Sequence, residues 1–216
     1  LRHMFFAKTL IDSLSNYKIQ LIIEGNVLND FLYKEPSLND DIITKHFNLR
    51  FNSEIDFFMN SDKVLKYSLD ILNIEKGDIN NENSLDFIKK FNPNLIITYG
   101  CSIIKPKLIG LFKNRIINVH LGLSPYYKGA GTNFHALVNN KFELMGYSFI
   151  YMDEGIDTGE IIHQSRAKFN LLDSPHTAGN RLIKRMTFDM IKLIKNYKLI
   201  EPKKQLDILN GSKIFR

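Results

Sequence analysis

Short apolar runs, each long enough for one buried strand, recur along this chain and are separated by longer mixed segments. Residues 19–23 (Ile-Gln-Leu-Ile-Ile), 72–74, 95–99 (Leu-Ile-Ile-Thr-Tyr) and 115–119 (Arg-Ile-Ile-Asn-Val) are such runs. Between them, residues 2–17, 84–91 and 107–111 carry apolar side chains at helical spacing, and one or two outer-layer helices are expected within 36–61. Strands alternating with helices specify an open, mostly parallel α/β sheet of Rossmann-like type, with helices on both faces. Such a sheet normally opens on a strand, whereas residue 2 already lies in a helical pattern, so the expected sheet lacks its first strand. Residues 147–152 and 161–168 read as two further strands around a turn. Ser174-Pro175 starts a last helix, with serine as N-cap and proline at its first position.

With 216 residues and 44% hydrophobic content, one domain can bury a core. The expected division is a catalytic domain over 1–197 and a short, weakly patterned extension over 198–216. No run of 18 apolar residues occurs, so no membrane-spanning helix is expected. The single cysteine, Cys101, excludes an intrachain disulfide and suits a reducing cytoplasm. His3, His46, His163 and His176 show no ligand spacing with Asp, Glu or Cys, and no metal is predicted. The net charge of +6 is spread along the chain rather than gathered into a stripe with aromatics, which argues against nucleic acid as a partner.

In open α/β sheets ligands bind beyond the carboxyl ends of the strands. Asn118 and His120 stand at one such end, Tyr99-Gly100 at another, and Asp157 lies in the turn after residue 152. Spaced i,i+2 on an extended segment, Asn118 and His120 project to the same side. An imidazole with an ordinary pKa near 6.5 can move a proton at working pH. An amide N–H can hold a developing oxyanion, and a carboxylate can orient the base or a water. Taken singly, each residue also has a structural reading, as a turn former or a satisfied polar group. Together and in order they form a set.

That set resembles the catalytic core of the folate-dependent formyltransferases. The likeness covers roughly 93–197 and includes the Asn118-x-His120 pair, Leu123-Ser124-Pro125 with Lys128-Gly129, and Asp153-x-Gly155-x-Asp157-Thr158-Gly159. It also includes Ile161-Ile162-His163-Gln164. The resemblance implies an N10-formyltetrahydrofolate donor held largely by backbone groups. The matching positions are Tyr99, Gly100, Ser102, Ile103 and Ile104, and on the second loop Asp153, Gly155 and Ile156.

Among these enzymes the glycinamide ribonucleotide branch opens on a strand and a glycine-rich phosphate loop, where this chain offers Arg2-His3-Met4. The methionyl-tRNA branch carries a further carboxyl-terminal domain, for which the residues after Tyr197 are too few. The wording from Leu121 to Phe134 is most similar to bacterial sugar N-formyltransferases, which act on nucleotide-linked amino sugars for surface polysaccharide such as O-antigen. On that branch Lys128 and Arg2 are candidate phosphate partners. Ser124, Tyr126 and Asn133 are candidate substrate contacts. A homodimer formed through carboxyl-terminal elements is the expected assembly. The alternatives are glycinamide ribonucleotide formylation and a non-catalytic folate- or nucleotide-binding module.

Overall fold

The structure is a computed structural model and describes residues 1–25, 41–59, 69–206 and 213–215, with the side chain of residue 43 left aside. The parts of the expected 36–61 and 198–216 segments that fall at 36–40, 60–61, 207–212 and 216 lie outside the described residues.

Three of the helices begin on a side chain that satisfies an orphan N–H of the first turn. α1 (Arg2–Ser13) turns Phe6, Leu10 and Ile11 inward. α2 (Ile42–Phe58) is capped by Asp41, whose side chain accepts from the Thr44 N–H at 2.7 Å. α3 (Glu82–Phe91) is capped by Asn81 and ends on Asn92 at φ 49°, just before Pro93. α4 (Pro106–Leu111) carries proline in its first turn. α5 is the short helix Thr132–Val138. α6 (Pro175–Lys195) starts on the Ser174 cap expected from the sequence, with Ser174 Oγ accepting from the Thr177 N–H at 3.0 Å.

β1 (Gln20–Glu24) and β2 (Asp70–Ile74) form a parallel pair. β3 (Ile96–Thr98) lies parallel to β4 (Ile116–His120). β4 then pairs antiparallel with β6 (Gly146–Tyr151), and β6 antiparallel with β7 (Ile161–Arg166). A third parallel pair joins β5 (Tyr127–Gly129) to β8 (Lys213–Phe215). The architecture is the expected mixed α/β one with helices on both faces, its described strands forming the pair β1–β2, the four-stranded sheet β3–β4–β6–β7 and the pair β5–β8. The β6–β7 hairpin adds an antiparallel end, since a turn of only nine residues between them cannot make a parallel crossover.

Strand alternation sorts the core into two layers. Ile117 and Val119 of β4 face α1 and α6, where they meet Phe6, Leu10, Phe149, Met186 and Met190. Ile116 faces the other way, onto α3 and α4 with Leu85, Ile88, Leu108 and Phe112. The same alternation sends Asn118 and His120 to the Ile116 side, past the end of that second layer. Burying each large apolar side chain contributes about 1.5–3 kcal/mol, so two packed faces hold β4 firmly in place. Among the described residues no helix is long and apolar enough to cross a membrane.

Candidate active site

The carboxyl end of β4 brings Asn118 and His120 together with Asp157 from the β6–β7 turn. Asn118 Nδ2 donates to Asp157 Oδ1 at 2.8 Å, and its Oδ1 accepts from Thr98 Oγ1 at 3.1 Å. A carboxylate can only accept, so this contact fixes which end of the amide is nitrogen. Among the described residues the second hydrogen of that nitrogen meets no acceptor, which leaves it for a ligand oxygen. His120 is 5% exposed; its Nδ1 lies 3.2 Å from Asp157 Oδ2 and its Nε2 lies 2.9 Å from the carbonyl oxygen of Tyr127. The Gly129 N–H also donates to Asp157 Oδ2, at 2.8 Å. Amide, imidazole and carboxylate are thus one hydrogen-bonded unit, closed by the backbone of β5.

The donor count defines its chemistry. A carbonyl only accepts, so Nε2 carries a hydrogen. The Nδ1···Oδ2 contact sets the other ring nitrogen against the carboxylate, where a proton can pass between the two groups beside an amide donor, which is what collapse of a tetrahedral intermediate needs.

Close packing makes this geometry specific. A Cβ on Gly122 would lie 2.5 Å from His120 Nε2 and 2.5 Å from Thr132 Oγ1, so only glycine lets the chain cross beneath the imidazole. Gly129 adopts φ 87°, and a Cβ there would collide with the carbonyl of Phe215. Asp157 itself sits at φ 51°, an uncommon backbone state for a residue with a side chain.

The residues implied for folate occupy two loops beside the unit. In the first, Glu24 at the end of β1 accepts from the Ser102 N–H at 2.5 Å and from the Gly77 N–H at 2.8 Å. Asn80 donates to the Ile103 carbonyl at 2.9 Å and accepts from the Lys105 N–H at 2.7 Å. Ile104 is buried and Ile103 exposed. Tyr99 packs against His3 and Phe6, and its buried hydroxyl is held well above the usual tyrosine range, by burial first and then by Glu54. In the second loop Asp153 Oδ1 accepts from the Gly155 N–H and Thr158 Oγ1, which folds the turn and leaves Ile156 half-buried. Both loops offer main chain held in a fixed shape, which fits a folate ring bound by backbone groups. Glu24 and Asn80 carried no sequence signal, because their partners are backbone amides far along the chain.

The acceptor-side candidates are more dispersed. Ser124 is 1% exposed, its N–H donates to Ser148 Oγ and its carbonyl accepts from Gln164 Nε2 at 2.6 Å. Asn133 spends both ends of its amide on Gly146, at 2.9 and 2.8 Å. Arg2 pairs with the buried Glu54 at 3.0 Å, which Arg50 also joins. Lys128 lies in β5 between the two residues whose backbone clamps the unit and is 8% exposed, whereas Tyr126 is 39% exposed. A cavity of about 340 Å³ stands apart from this region, lined by Ile162, His163, Asp189, Lys192, Ile200 and Glu201 among others. It contains none of the residues that make formyl-transfer geometry.

Known proteins share this arrangement of chain. The formyl transferase family matches residues 59–192, more than half of the sequence. A methionyl-tRNA formyltransferase from Caldicellulosiruptor saccharolyticus is 32% identical over 145 residues, 66% of this chain and 45% of that protein. The chain therefore spans less than half the length of this curated relative. Among solved structures, a 4-N formyltransferase from Francisella tularensis superposes with a TM-score of 0.60 at 20% identity, covering 99% of this chain and 71% of that one. The formyltransferase PseJ from Anoxybacillus kamchatkensis, solved with UDP-4,6-dideoxy-4-formamido-L-AltNAc and tetrahydrofolate, gives 0.57 at 22% identity, covering 91% and 85%. At these identities the structural likeness is one of fold. The family match over residues that include Asn118, His120 and Asp157 goes further: the chain belongs to the formyl transferase family.

Proposed function

We propose that this chain transfers a formyl group from N10-formyltetrahydrofolate to the amine of a nucleotide-linked amino sugar. The observation that carries the formyl-transfer step is the closed Asn118–His120–Asp157 unit. As the amine attacks the formyl carbon, the free N–H of Asn118 binds the oxyanion. The His120–Asp157 pair relays the proton: it takes up the one that the amine loses and gives one up to N10 of the folate as that nitrogen leaves. The Ser102–Ile104 and Asp153–Ile156 loops hold the folate ring by main-chain groups.

A nucleotide sugar suits the acceptor side. Tyr126 and Phe134 expose ring surface, 39% and 53%, for stacking on a base or sugar. Lys128, between them in sequence, supplies positive charge for a diphosphate, whereas the Arg2 guanidinium is spent on Glu54. A second reading takes the α-amine of methionyl-tRNA as acceptor, because the 32%-identical relative from Caldicellulosiruptor saccharolyticus is a methionyl-tRNA formyltransferase.

Turnover with N10-formyltetrahydrofolate against dTDP-, UDP- and GDP-linked amino sugars, glycinamide ribonucleotide and methionyl-tRNA separates these readings. Gain of one formyl group by a nucleotide sugar is the expected result. Turnover of methionyl-tRNA or glycinamide ribonucleotide alone would overturn the sugar assignment. No turnover of any acceptor by a protein that binds folate would overturn the enzymatic one.

A further inference from the structure

Asp157 is held by its carboxylate from one side, through Asn118, His120 and Gly129. Its left-handed backbone is held from the other. Gln205 Nε2 donates to the carbonyl of Asp157 and to that of Gly159, each at 2.8 Å. One amide nitrogen, with its two hydrogens, thus staples both ends of the turn that presents the catalytic carboxylate. Its orientation is fixed, because two carbonyls can face only the nitrogen.

The delivery of Gln205 is equally defined. Ile161 and Lys203 exchange two backbone hydrogen bonds, at 2.7 and 2.8 Å, where the chain returns antiparallel to the start of β7. Two residues on, the same register brings Gln205 opposite Gly159. The amide oxygen of Gln205 is buried with no hydrogen-bond partner among the described residues. An orphaned acceptor is unfavourable, and the role of the opposite end of the amide accounts for its presence. Farther along, β8 pairs with β5, the strand whose backbone holds His120 through Tyr127 and Asp157 through Gly129. The segment after α6 therefore touches the catalytic unit at both of its supports.

We propose that Gln205 is a positioning residue for formyl transfer, setting the backbone of Asp157 so that its carboxylate meets Asn118 and His120. This rests on the function proposed above. Gln205→Met keeps the length of the side chain and removes both donors. A shift of the carboxylate by a fraction of an ångström should lower kcat about 10- to 100-fold, with KM for the acceptor within about two-fold. Amide exchange at Gly129 should quicken, while exchange at Met186 and Met190 in α6 stays as in the wild type. In an Asp157→Asn background the same substitution should cost little more, because both act through one group. If Gln205→Met does not fold, Gln205→Asn withdraws the amide by one methylene and is read in the same way. Unchanged kcat together with unchanged Gly129 exchange would overturn the proposal, as would an equal loss in the Asp157→Asn background. The exchange measurement needs no turnover, so it decides the role of Gln205 even if the wild-type protein formylates none of the acceptors.

Discussion

Asn118 illustrates how much depends on a single amide. Thr98 accepts none of its hydrogens, Asp157 takes one, and the other is available to an oxyanion. Asn118→Ala removes that donor and one support of Asp157 together. The expected outcome is a kcat lower by about 10²–10³, as for loss of one oxyanion donor, seen in steady-state formylation assays with KM little changed. At this scale the sequence was informative. An i,i+2 pair on a strand end has to share a side, and the glycine-bounded turn has to carry Asp157 close by. What the sequence did not disclose is the distribution of contacts. Asp157 engages Asn118, His120 and Gly129 at once, and Asn133 turns its amide to Gly146, because these depend on where loops far apart in sequence come to rest.

The elements show the same division. α6 was legible down to its cap, since Ser-Pro before a 3.6-residue apolar stripe has few other readings. Of the expected inward stripe Ile183, Thr187, Met190, Ile191 and Ile194, the first four are buried and Ile194 is half-buried. The short strands β5 and β8 were not legible, because three residues are too few for a period-2 signal and their pairing is tertiary. Near the start of α6, Arg181 grips Asp173 with two nitrogens, at 2.7 and 2.5 Å. That guanidinium, with the Asn170 N–H, lowers the Asp173 carboxyl to about 2. An acid with a lowered folded-state pKa stabilises the fold fully above its ordinary range near 3.8, and the contribution is lost as pH falls through about 2. Asp173→Asn should therefore remove the part of the stability change that wild type shows between about pH 4 and 2, measured by chemical denaturation across that window. Ser174→Ala, next to it, should cost about 0.5–2 kcal/mol in the same experiment at neutral pH.

Across the whole molecule, the two layers meet at β4 and β6, and Phe149 is the central side chain of the larger one, with no exposed surface. Phe149→Ala should destabilise the protein by about 3–5 kcal/mol in urea titration, since the surrounding helices can close only part of the cavity. Two half-buried histidines give the fold a pH dependence nearer neutrality. His163 and His176 are both held below the usual histidine range. Burial is the first cause for each, with Arg185 and Lys192 adding to it at His163 and His46 and Arg50 at His176. The unfolded chain therefore binds protons first as the pH drops. Stability is present above about 6.5 and declines as pH falls toward 5, which a series of thermal melts would show as a falling Tm. A Tm independent of pH over that interval would contradict the assigned environments of both rings. By itself the sequence determined the alternating α/β order and the helices on both faces, which follow from local periodicity. It also singled out Asn118, His120 and Asp157 as a candidate set, from their places at a strand end and in a turn together with the formyltransferase resemblance. Only the tertiary structure decided the antiparallel β6–β7 end, the Glu24 and Asn80 pins on the folate loop, and the return of the chain that sets Gln205 against Asp157. Those depend on backbone groups meeting across long separations, which leave no pattern in the residues that make them.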